Sequence, residues 1–116
     1  MRVQLKRAYD KPARSDGFRV LVDRMWPRGV KKEELKIDLW LKEIAPSTAL
    51  RKRFGHDPKK WEEFRERYFR ELDSHPEAIR LLREKMRGGP VTLVFGAREE
   101  RFNNAVALQE YLQGRR

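Results

Sequence analysis

Apolar positions along this chain follow two periods. Val3, Leu5 and, further on, Tyr9 alternate with Gln4, Lys6 and Ala8, the two-residue period of a half-exposed strand. After the polar turn Lys11-Pro12-Ala13-Arg14-Ser15-Asp16-Gly17, a second strand runs from Phe18 to Val22. Its unbroken Val20-Leu21-Val22 points to burial on both faces, and Val91 to Phe95 reads the same way. Between these two strands the period becomes helical. Val30 to Leu35 predicts a short helical turn. Ile37 to Ile44 fits alternation through Ile37, Leu39 and Leu41, but it also fits helical spacing through Ile37, Trp40, Leu41 and Ile44; the reading adopted is helix. Pro46-Ser47-Thr48 opens a helix that turns Leu50 and Phe54 inward and ends at Gly55.

Asp57 with Pro58 behind it is a helix start, and Trp61, Phe64, Tyr68 and Leu72 then form one apolar face. Glu63–Arg67 and Glu66–Arg70 stand four apart on the opposite face, the acid preceding the base. Ser74 and Glu77 have capping-box spacing before a helix with Ala78, Leu82 and Met86 inside, which Gly88-Gly89-Pro90 ends. Gly96 to Arg101 is a loop. The last helix runs to about Gln113 with Phe102, Ala105, Val106, Leu108 and Leu112 inward.

The resulting order, β-β-α-α-α-α-β-α, sets a long helical crossover between strands 18–22 and 91–95. Such crossovers join parallel, right-handed neighbours. The expected fold is α/β: a small, mainly parallel sheet of about three strands with helices packed on it, a single domain over residues 1–116.

Composition narrows the function classes. No cysteine is present, which excludes disulfides, thiolate chemistry and cysteine zinc sites. Two histidines, His56 and His75, lack paired ligand spacing, so neither a metal nor a cofactor is expected. No apolar run approaches the roughly 18 residues of a membrane span, and the N-terminus has no signal-peptide core. A cytoplasmic protein without membrane contact is the expectation, and oligomeric state is left open. Net charge is +10, concentrated in residues 1–36, which hold 11 basic and 5 acidic groups. A positive field attracts phosphates on small ligands or on nucleic acid. Its duller equivalent is the ion-paired surface of a heat-adapted protein, rich in Lys, Arg and Glu and poor in Cys, Asn and Gln.

The chemistry sits at the strand ends. If strands 18–22 and 91–95 are parallel, Asp23-Arg24-Met25-Trp26-Pro27-Arg28-Gly29 and Gly96-Ala97-Arg98-Glu99-Glu100 open on one edge, where α/β proteins build sites. Arg24, Arg28 and Arg98 then converge, and clustered arginines predict a phosphate or carboxylate ligand. The start of the last helix would add its free N–H groups. Asp23 is either a general base or an ion-pair partner of Arg24 or Arg28. Trp26 is a lid over a ring or a packing residue, and His56 a proton shuttle or a local hydrogen-bonding residue. Asn103 and Asn104, poor helix formers inside the last helix, would turn amides to the sheet edge. Ser47 is a cap rather than a nucleophile, since no elbow motif surrounds it.

Four motifs together resemble the YeaO-like branch of the domain-of-unknown-function 488 family: Val20 to Gly29, Trp40 to Ser47, Phe54 to Pro58, and Asn103-Asn104-Ala105. The resemblance covers nearly the whole chain in order. It implies no established activity, but it marks Asp23, Arg24, Trp26, Pro27, Arg28, Gly29, Pro46-Ser47 and His56-Asp57 as recurrent positions. Other branches carry cysteines and a histidine-arginine pair near the last strand and helix, where this chain has Phe95, Asn103, Asn104 and Ala105. The resemblance therefore does not bring thiol chemistry here.

Three functional readings follow. The first is a pocket for a phosphorylated or otherwise anionic small ligand, nucleotides included, at Arg24, Trp26, Arg28, Arg98, Asn103 and Asn104. The second is an enzyme acting on that ligand through Asp23 or His56. The third is a basic nucleic-acid-binding module, carried by charge alone because no recognised motif is present.

Overall fold

The computed structural model describes residues 3–115. Four strands, β1 (Val3–Arg7), β2 (Phe18–Leu21), β3 (Leu39–Trp40) and β4 (Val91–Phe95), form one sheet in the order β1-β4-β2-β3, and every pairing is parallel. β4, apolar except for Thr92 and buried at every position, lies between β1 and β2. The α/β architecture and parallel sheet agree with the sequence reading, with one strand more than expected.

That extra strand is the one substantial difference. Leu39–Trp40 pairs with Val20 and Leu21, and only Lys42–Ile44 beyond it is helical, a 3₁₀ turn. The alternating reading wins over the helical one because β2 would otherwise leave an edge of unpaired peptide groups. Asp38 N–H donates to Arg19 O at 2.8 Å and Leu41 N–H to Leu21 O at 3.0 Å, while the Asp38 carboxylate accepts Arg19 N–H at 2.8 Å. β1 also stops at Arg7, so Tyr9 lies beyond it and is half exposed.

Register divides the sheet into two faces. Val3, Val20, Val22, Val91, Leu93 and Phe95 point into the main core. There they meet α3 (Trp61–Asp73), α4 (Pro76–Gly88) and α5 (Asn104–Glu110) through Phe64, Tyr68, Leu72, Leu82 and Leu108. The other face carries Leu21 and Val94, which pack with Ala8 and with Leu35 of α1 (Lys32–Leu35). On that second face Arg19, only 4% exposed, donates to the Asp16 carboxylate at 2.6 Å and to Leu35 O at 2.7 Å. Lys6 pairs with the same carboxylate at 2.8 Å, and Thr92 Oγ1 donates to Asp16 O at 2.6 Å. This network straps the β1–β2 connection, residues 8–17, back along the sheet. Gly17 closes it at φ 66°, where a Cβ would lie 2.2 Å from Pro90 O.

Helix boundaries follow local chemistry with three adjustments. Ser47 caps α2 (Thr48–Phe54) by accepting Leu50 N–H, and Asp57 accepts Lys59 N–H ahead of a 3₁₀ turn, Pro58–Lys60, that runs into α3. Ser74 does not cap α4: His75 precedes it, Pro76 occupies the first position, and Ser74 Oγ turns back to Glu71 O. Glu63 binds Arg53 through two 3.0 Å contacts, leaving Arg67 at 3.8 Å, and Glu66–Arg70 is not among the ion pairs of the described residues. Finally, α5 begins at Asn104, so Asn103 is its cap rather than an interior residue, and its final turn passes into a kinked segment over Tyr111–Arg115. No helix of the described residues is long and apolar enough to cross a membrane.

Candidate functional site

β2 and β4 both end at one edge, and a cavity of about 500 Å³ opens there. Its floor is built by Asp23, the second residue past β2. The Asp23 carboxylate accepts Gly96 N–H at 2.8 Å through Oδ2 and the Asn104 amide at 3.1 Å through Oδ1; that amide also donates to Val22 O at 3.1 Å. One side chain thus clasps the end of β2, the loop after β4 and the first turn of α5. Gly96 permits the approach, since a Cβ there would stand 3.3 Å from Oδ2. Burial pushes the Asp23 carboxyl up, while Gly96 N–H, the Asn104 amide and the Arg51 charge pull it down. The balance leaves it above its ordinary value.

Asn103 also lines the cavity, with both ends of its amide occupied. Its oxygen accepts Val106 N–H at 3.0 Å as the α5 cap, and its nitrogen donates to Glu99 O at 2.7 Å.

The cations at the mouth come from two elements. Arg24 follows Asp23 and reaches Ala45 O and Pro46 O only at 3.4 Å each. Arg51 and Lys52 stand on α2, which Glu71 of α3 anchors by accepting Ser47 N–H at 2.8 Å and Ser47 Oγ at 2.6 Å. Neither the Arg51 nor the Lys52 side chain has an acceptor among the described residues. His56 lies on the same rim in left-handed backbone (φ 58°), its ring tilted against Phe54 at 6.1 Å. Phe54, Phe64, Ala97 and Met25 supply apolar wall, and Met25 is 67% exposed at the opening.

Of the residues singled out from sequence, Asp23, Arg24, His56, Asn103 and Asn104 line this cavity, whereas Trp26, Arg28 and Arg98 do not. The expected convergence of Arg24, Arg28 and Arg98 is replaced by Arg24, Arg51 and Lys52. The loop straddles the sheet edge, and Trp26 is drawn to the second face. There it meets Trp40 edge-on at 5.4 Å and donates Nε1–H to Val30 O at 2.7 Å. Arg28 beyond it is exposed and offers its carbonyl to the Tyr9 hydroxyl at 3.1 Å; Arg98 is exposed on the β4–α5 loop. Arg51 and Lys52 went unrecognised because they lie far from the strand ends in sequence. Their one signal is position, within one turn of the inward-facing Phe54. Among the described residues no group of three or more His, Asp or Glu is placed to hold a metal ion.

Comparison with known proteins places the chain in a family. The family model DUF488-N3i, described as the inactive DUF488-N3 subclade, matches residues 2–115. The chain is 43% identical over 113 residues to the uncharacterized protein YeaO of Escherichia coli (strain K12), covering 97% of this chain and 98% of that protein. It is 38% identical over 114 residues to the uncharacterized protein Mb3100c of Mycobacterium bovis and, equally, to Rv3073c of Mycobacterium tuberculosis, with 98% of this chain and 96% of each relative covered. No solved structure matches.

Proposed function

This chain belongs to the inactive N3 subclade of the DUF488 family, and on that footing we propose that it binds an anionic, phosphate-bearing small ligand in the strand-end cavity without turning it over. The observation that carries this reading is the set of cations at one cavity mouth. Among the described residues Arg51 and Lys52 have no hydrogen-bond acceptor, and Arg24 has only two long ones. Guanidinium groups bind phosphate oxygens in parallel pairs, so a rim arginine that feels the Asp23 charge but hydrogen-bonds to no carboxylate favours an anion from outside. A cavity of about 500 Å³ has the size of small-molecule sites, and the ends of parallel strands are where such sites form. Binding is favoured over catalysis by the family's description and by the use already made of Asp23, whose carboxylate holds Gly96 and Asn104 in place.

A thermal-shift series with inorganic phosphate, ribose 5-phosphate and nucleoside monophosphates tests the reading on wild type, Arg51→Ala and Arg28→Ala. A phosphorylated compound is expected to raise the melting temperature of wild type and Arg28→Ala but not of Arg51→Ala. Absence of stabilisation by every phosphate compound, or equal stabilisation of Arg51→Ala, sinks it.

One further observation supports a nucleic-acid-binding reading. Arg67, Arg70 and Arg53, the last paired with Glu63, line a second cleft of about 490 Å³ together with Glu71, Ser47 and Leu50, and the net charge is +10. Stabilisation by any short polynucleotide, lost steeply with salt and indifferent to Arg51, would favour that module instead.

A further inference from the structure

The two ends of the strand-end cavity have opposite chemistry. At the floor, the Asn104 amide nitrogen donates to two acceptors, Val22 O and Asp23 Oδ1, each at 3.1 Å. That fixes the amide orientation. Asn104 Oδ1 is therefore left as an acceptor with no partner among the described residues. The Asp23 carboxylate takes one protein donor on each oxygen, against a capacity of about four. Both floor groups thus retain acceptor capacity and have no donor left to offer. At the mouth stand the cations Arg24, Arg51 and Lys52, with Phe54 and Phe64, stacked on each other at 4.5 Å, and the exposed Met25 also lining the cavity.

We propose that the cavity takes a dipolar ligand: a flat heterocycle whose N–H groups donate to Asp23 and Asn104, joined to a phosphate that meets the rim cations, as in a nucleoside monophosphate. This rests on the anionic-ligand reading above and adds which end of the ligand enters first. A simple phosphate satisfies only the rim. A neutral apolar ring leaves the floor acceptors unanswered, at the cost of burying unpaired polar groups. The heterocycle lies against the phenylalanine walls, and Met25 covers it from the open side, a flexible thioether suited to an aromatic face.

Calorimetry on wild type with the four ribonucleoside 5′-monophosphates and ribose 5-phosphate tests this directly, because each base carries at least one N–H donor and the sugar phosphate has no base. At least one nucleotide is expected to bind about tenfold more tightly than ribose 5-phosphate. Asp23→Asn is expected to abolish that excess. If Asp23→Asn does not fold, the best nucleotide with every N–H of its base replaced by N–CH3 (dimethylated where the donor is an exocyclic amine) replaces the variant, and the excess must again disappear on wild type. Equal binding of ribose 5-phosphate and every nucleotide overturns the dipolar ligand and leaves the anion site standing. So does an excess that survives both Asp23→Asn and methylation. Failure of all five compounds to bind removes the anion site and the dipolar ligand together.

Discussion

Trp26 and Asp23 are three residues apart and serve opposite sides of the sheet. Asp23 reaches Gly96 and Asn104 at the cavity floor, while Trp26 packs on Trp40, whose own Nε1–H donates to Asp23 O at 2.8 Å. The indole is thus a support under the loop. Trp26→Ala is expected to cost about 2 kcal/mol, below the value for a fully buried tryptophan because the ring is only partly covered. Ligand affinity in the cavity should be retained. Urea unfolding and calorimetry on the same variant check both halves, and a collapse of affinity with unchanged stability would show that the ring touches ligand.

At the scale of elements, the connection over residues 8–17 decides whether β1 can sit parallel to β4. It must return the length of the strands with no more than a single 3₁₀ turn, Arg14–Asp16, and it does so strapped by Lys6, Asp16, Arg19 and Thr92. Gly17 is its tightest point, held at φ 66° with no room for a Cβ beside Pro90 O, while Phe18 N–H donates to that same carbonyl at 3.0 Å. Gly17→Ala combines left-handed strain with a backbone clash and is expected to cost about 3 kcal/mol or more. The denaturation midpoint measures it. A loss below about 1 kcal/mol, the ordinary left-handed penalty alone, would mean that the connection shifts freely.

For the whole molecule, two carboxyl groups, Asp16 and Asp23, contribute to pH dependence in opposite directions. Burial pushes the Asp16 carboxyl up, but hydrogen bonds from Lys6, Ala13 N–H and Arg19 and the Lys6 charge outweigh it and hold the group below its ordinary value. Its contribution is present above the unfolded pKa and is lost as pH falls through the depressed one. Asp23, raised by burial, does the reverse: its contribution is present below the unfolded pKa and lost as pH rises through the raised one. Asp16→Asn is expected to cost about 3 kcal/mol at neutral pH, because it leaves Arg19 buried without its counter-charge. The gap to wild type should narrow at an acid pH below the ordinary aspartate value, as the wild-type carboxylate is protonated through its depressed pKa. Urea unfolding at both pH values is the measurement, and a gap independent of pH would separate Asp16 from the acid limb.

The sequence by itself determined the elements whose causes are local. Helices α2 to α4 show their apolar spacing and mostly their caps, the two buried strands show unbroken apolar runs, and the four motifs mark the family. It also located the strand-end loop and five of the cavity's lining residues, because the C-terminal ends of parallel strands are a geometric consequence of the crossover. Tertiary structure alone decided the rest. Whether Ile37–Ile44 alternates or coils depended on an open edge of β2 that no local period encodes. The cation set depended on the packing of α2 against α3 through Ser47 and Glu71, which swings Arg51 and Lys52 to the strand ends. Arg19 is buried because the connection, through Asp16, and the end of α1, through Leu35 O, both close over it. Each outcome hangs on contacts between residues distant in sequence, whose free energy exists only once the chain has closed those loops.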